Sequence, residues 1–121
     1  MLTPVLVAIS NTPRDYAWGS PTLIADLEGR EPSGAPEAEV WFGDHPGSPA
    51  VVHDGTDRTL DAWLPAVAAE QHVPAKLPYL LKLLAAGAPL SIQVHPSKEQ
   101  AVEGFAREEA AGVPRDAGSR N

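Results

Sequence analysis

From Leu90 to His95 the chain alternates apolar and polar residues, Leu90-Ser91-Ile92-Gln93-Val94-His95. A period of two belongs to a β-strand, whose successive side chains point to opposite faces. The pattern predicts Leu90, Ile92 and Val94 against a core, with Ser91, Gln93 and His95 on the other face. Pro96 cannot donate to a sheet ladder, so the strand is expected to end there. Ser97 and Gln100 have the Ser-x-x-Gln spacing of a capping box, which opens a helix. In that helix Ala101, Val102, Phe105, Ala106 and Ala110 form one apolar stripe, and Gly112 and Pro114 stop it.

The same reading extends upstream. Val5–Ile9 is apolar and largely β-branched, and predicts a first strand running to Ser10. Thr22–Leu27 suits a short helix capped by Ser20 or Thr22. Ala38–Phe42 and Pro49–His53 read as two further strands, the second closed by the turn dipeptide Asp54-Gly55. Leu60, Leu64, Val67 and Ala68 follow helical spacing with Thr59 as N-cap. Pro65 fits a helix only near its first turn and predicts a break there. His72 falls at the C-terminal end of that helix, where a histidine is exposed and favoured by the dipole. Leu80–Leu84 is too short to reveal its period, and Pro78 and Gly87 around it favour a strand. The segment 115–121 has only Ala117 to anchor it and is expected to be a disordered tail.

At 121 residues the chain is at most one domain, long enough for a real core. Its 13 prolines, about twice the average usage of about 5%, fall mostly between apolar segments and favour short strands with turns over a helical bundle. The net charge of −7, without a basic cluster, argues against a nucleic-acid surface. No apolar run approaches the ~18 residues of a membrane span, and the N-terminus lacks the basic region of a signal peptide. With no Cys there is no disulfide framework and no thiolate chemistry. A cytoplasmic protein is expected, and its oligomeric state is left open.

The chemistry-bearing positions are few. Ser91, Gln93 and His95 would line one strand face with a hydroxyl, a carboxamide and an imidazole, groups able to bind a metal or an anion, although alternating strands are more often plain solvated faces. Gln is also uncommon in structural zinc sites, which favour Cys and His. Tyr16 and Trp18 sit in a loop, either plugging the edge of a core or walling a sugar site with a flat indole. His45, in a Pro/Gly turn, suits a local hydrogen bond. Lys98 could meet a phosphate, but a Lys in a helix's first turn is usually solvated.

Three blocks give these residues a context. Tyr-Ala-Trp-Gly-Ser (16–20), Pro-Glu-Ala-Glu-Val-Trp-Phe-Gly-Asp-His-Pro (36–46) and the stretch 77–100 with Ser-Ile-Gln-Val-His-Pro resemble, in the same order, the type I mannose-6-phosphate isomerases, or phosphomannose isomerases. Glu-Gly-Phe-Ala-Arg-Glu (103–108) also resembles that family's segment behind the metal strand. The resemblance implies a mainly β fold with added helices, a cupin-type β jelly roll, incomplete in this chain, with residues 1–114 as the N-terminal portion of the domain. It implies interconversion of mannose 6-phosphate and fructose 6-phosphate by a zinc-assisted enediol proton transfer. Carried over, Gln93 and His95 are two of four zinc ligands, and Trp18, Glu39 and Ser91 contact the sugar phosphate. The family's other two ligands, a Glu and a His, and its catalytic Arg lie beyond residue 121, so the chain alone is expected to be inactive or nearly so. The competing expectation is a non-catalytic cupin-like module that binds a sugar or a metal.

Overall fold

The computed structural model describes residues 6–92 and 94–118. The chain divides into two units, Met1–Leu90 and Ser91–Asn121.

Within the first unit, β1 (Ala8–Ser10) pairs antiparallel with β3 (Val51–His53), and Ile9 lies opposite Val52. Helix α2 (Leu60–Gln71) covers this pair, burying Leu60, Trp63 and Leu64 with Ala50 and Val52. A second antiparallel pair joins β2 (Glu39–Phe42) to β4 (Leu81–Leu84), in the register Glu39↔Leu84 and Trp41↔Lys82. Helix α1 (Leu23–Glu28) closes its inner face, where Ile24, Val40 and Ala85 pack with Phe42 and Leu83. The four strands expected before Leu90 are therefore found, shorter than their apolar runs because only residues with a ladder partner count, and Val5 of the first lies outside the described residues. Leu80–Leu84 resolves as a strand because β2 supplies that partner.

The helix ends follow local chemistry. Thr22 caps α1 only by position, whereas the hydroxyl of Ser20 accepts from the N–H groups of Thr22 and Leu23 at 3.3 and 3.2 Å. Gly29 closes the helix at φ 68°, a left-handed turn that a Cβ would disfavour. Thr59 stands at the N-cap of α2 without a side-chain bond. The predicted break at Pro65 does not occur: α2 runs through it to Gln71. Pro65 is exposed while Trp63 and Leu64 beside it are buried, so the lost bond to Asp61 falls on the exposed side, and core packing holds the helix in line. His72 is exposed and ends α2 at φ 53°.

In the second unit, α3 (Lys98–Ala110) opens with the predicted capping box, both reciprocal bonds of Ser97 and Gln100 being present. Its apolar stripe is not a core contact, since no residue of α3 is buried. The strand expected at Leu90–His95 is also absent among the described residues. Leu90, Ile92 and Val94 are 41, 97 and 86% exposed instead of facing a core. Alternation alone does not make a strand; a neighbouring strand must accept the ladder, and none of the described residues does so. Of the segment 115–121, Arg115 reaches back to Glu109 at 3.3 Å and over the ring of Phe105, and residues 119–121 lie outside the described residues. Among the described residues no helix is long and apolar enough to cross a membrane.

Candidate active site

β2 is two-faced. Val40 and Phe42 point inward to α1, which puts Glu39 and Trp41 on the outer face of the sheet. On β4 the register sets Lys82 directly opposite Trp41. Three side chains then converge. The indole Nε1–H of Trp41 donates to Glu39 Oε2 at 2.7 Å, Lys82 Nζ stands 3.7 Å from the same oxygen, and the ammonium lies 4.3 Å from the Trp41 ring centroid. These contacts keep Glu39 only 9% exposed, against the solvent-facing position usual for a strand carboxylate.

The Tyr16–Ser20 loop is fastened to the same sheet. Ser20 bridges to Glu37, and Gly19 to Ala86. Gly19 packs so closely on β2 that a Cβ there would come within 2.6 Å of the Ala38 backbone nitrogen, which only glycine avoids. The carbonyl of Trp18 accepts from the N–H groups of Gly87 and Ala88 at 2.8 and 3.1 Å. The half-buried Trp18 stacks on Tyr16 with ring centroids 5.8 Å apart. Asn11 donates to the carbonyls of Trp41 and Ser48, bracing the far side of β2. An ion pair 2.7 Å long between the half-buried Arg30 and the buried Glu37 holds the approach to β2.

Arg14 joins the two groups. Its backbone pairs with β2, donating to Glu39 and accepting from Ala38, both at 2.7 Å. Its guanidinium carbon is 5.4 Å from the Tyr16 ring centroid and 5.3 Å from that of Trp41. The outer face and the loop fastened beside it thus carry three aromatic rings, two cations and one carboxylate. Such a surface can stack on a sugar ring, hold hydroxyls and favour a negative ligand.

Trp18 and Glu39, both singled out in the sequence, accordingly lie on connected parts of the first unit. Ser91 and His95 are exposed members of the second unit, and Gln93 lies outside the described residues. Among the described residues no three His, Asp or Glu side chains group to hold a metal. His45 makes the local bond expected of it, accepting from the N–H of Gly47 at 3.0 Å, with its ring edge-on to Trp41. Sequence reasoning missed Arg14, Trp41 and Lys82. The signal for Lys82 was available: a lone charge inside Leu80–Leu84, where β pairing must turn it away from Leu83.

The catalytic-domain model of type I phosphomannose isomerase matches residues 6–114. The mannose-6-phosphate isomerase of Escherichia coli (strain K12) is 42% identical over 122 residues, covering 92% of this chain and 31% of the relative. That of Homo sapiens is 32% identical, covering 84% of this chain and 28% of the relative. A crystal structure of mannose 6-phosphate isomerase from Salmonella typhimurium, bound to its substrate fructose 6-phosphate and to zinc, superposes with a TM-score of 0.76 at 39% identity over 95% of this chain and 31% of that one. The chain therefore shares the fold of these enzymes and spans about a third of their length. It belongs to the type I phosphomannose isomerase family, as an N-terminal portion of it.

Proposed function

We propose that this chain supplies part of the active site of an aldose–ketose isomerase that interconverts mannose 6-phosphate and fructose 6-phosphate, on a cupin-type jelly roll. The observation that carries this reading is the outer face of β2 and β4, where Glu39, Trp41 and Lys82 meet beside the Trp18 loop. On this reading Trp18 packs its indole against the apolar face of the sugar. Trp41 and Lys82 both engage Oε2 of Glu39, which leaves Oε1 to accept from a sugar hydroxyl. Lys82 adds a positive charge close to where oxyanion character develops as a proton moves between C1 and C2. Ser91 is assigned to substrate contact.

Zinc is the metal of this proposal, with Gln93 and His95 as ligands. Bound zinc supplies Lewis-acid polarisation of a carbonyl oxygen. An imidazole nitrogen and a carboxamide oxygen two positions apart suit zinc in kind but not in number, since a catalytic zinc keeps about three protein ligands. On the family resemblance the remaining zinc ligands and the catalytic Arg come from outside residues 1–121. The phosphate of the substrate keeps it inside cells, so the cytoplasm is the proposed compartment.

The test is a coupled assay on the 121-residue chain with mannose 6-phosphate and added zinc. No turnover above background is expected. Turnover at rates ordinary for enzymes, on the order of 1–1000 per second, would mean that residues 1–121 hold a complete site. Saturable sugar binding without turnover, undiminished when Glu39 and Trp18 are replaced, would favour a binding module using other residues.

A further inference from the structure

We propose that Arg14 is a positioning residue for the sugar site. It ties the loop bearing Trp18 to the face bearing Trp41 and Glu39, and the inference rests on the site proposed above. Four contacts fix it. Its Nη1 donates to the carbonyl of Gly47 at 3.1 Å, and its Nε donates to the Tyr16 hydroxyl at 3.3 Å. The planar guanidinium lies near both the Tyr16 and the Trp41 rings, a geometry that stacking on two aromatics favours. Its backbone is also bridged to Glu39, so the side chain cannot drift along the strand.

The consequence passes through two rings. Tyr16 stacks on Trp18, so a Tyr16 held by Arg14 sets the plane that Trp18 presents. On the other side, Trp41 donates to Glu39, and an indole steadied by Arg14 keeps Oε2 of Glu39 turned toward Nε1 and Oε1 away from it. Lys82 already supplies one cation to the Trp41 ring. Arg14 adds what a lysine cannot, a fork that hydrogen-bonds two anchors while it stacks. Without it the loop and the sheet keep their backbone bridges but lose the side-chain link between the two aromatic groups.

The experiment follows the indole N–H signals of a 15N-labelled chain, which has three tryptophans. Trp63 donates to Asp54, away from this cluster, and reports folding. In Arg14→Ala the Trp41 and Trp18 signals are expected to shift, Trp41 toward a solvent-exposed indole, while Trp63 stays in place. Unchanged Trp41 and Trp18 signals would overturn the proposal. If all three collapse, Arg14→Lys decides, since it keeps the charge without the fork. Shifted Trp41 and Trp18 with a native Trp63 support positioning, whereas an unaffected pattern, or renewed collapse, refutes it. Mannose 6-phosphate is then titrated into both chains. Native chain should show Trp18 shifts, and Arg14→Ala should bind more weakly because Trp18 and Glu39 are no longer held in place; equal affinity in the two chains would overturn the positioning role. No response in the native chain would remove the proposed sugar site but leave the indole result standing, so the two readings fail separately.

Discussion

Asp54 shows how much a single exposed carboxylate can organise. It accepts from the hydroxyl and the backbone N–H of Thr56 and from the indole of Trp63, and it faces Arg58 at 3.6 Å. The Thr56 hydroxyl is the largest influence and the Thr56 backbone the next, and together they hold the carboxyl down to about 2 from an ordinary 3.8. A carboxyl depressed by folding stabilises the fold above its unfolded value and ceases to do so as pH falls through the folded one. The melting temperature of native chain should therefore fall between pH 3.8 and about 2 more steeply than that of Asp54→Asn. Parallel pH profiles for the two would show that Asp54 carries no such contribution. In the sequence Asp54 was legible only as half of a turn dipeptide, because its link to Trp63 spans a turn and the start of a helix. Glu39 was marked by family resemblance, but its burial depends on Trp41 and on Lys82, whose positions only a register can give. Residue types were legible; their cross-strand partners were not.

At the scale of elements, local rules succeeded where the element is self-contained. The capping box of α3 needs only four consecutive residues, and it forms as its sequence dictates. Ser97→Ala removes the hydroxyl that accepts from Gln100 N–H and should cost about 1 kcal/mol of helix stability. Faster hydrogen exchange across the first turn of α3 would register the loss, and unchanged exchange there would count against it. Pro65 and the segment 90–95 show the opposite limit. At Pro65, core packing by Trp63 and Leu64 overrides a local penalty. At 90–95 a clear alternating pattern lacks the neighbouring strand that would turn it into a strand. Both outcomes hinge on contacts distant in sequence, which periodicity cannot register.

For the molecule as a whole, the apolar interior is unevenly shared. Among the described residues both buried clusters belong to the first unit, and α3 has no buried residue. Protection from exchange follows burial and hydrogen bonding, so Val40 and Val52 should carry the slowest amides and α3 much faster ones. Equal protection across both would mean that α3 is stabilised by more than its own hydrogen bonds. Prolines and turn residues made short strands legible at this scale and the family resemblance supplied the fold class, whereas which strands pair was not legible. That pairing has a consequence for how the chain is made. Ala8 waits for His53 and Glu39 for Leu84, so neither sheet can close on its nearest neighbour in sequence. A chain leaving the ribosome from its N-terminus can complete the β1–β3 pair, with α2 upon it, before β4 has emerged. The face carrying Glu39, Trp41 and Lys82 is then assembled after the β1–β3 pair, and until that moment Trp41 and Phe42 are the surfaces a chaperone would meet.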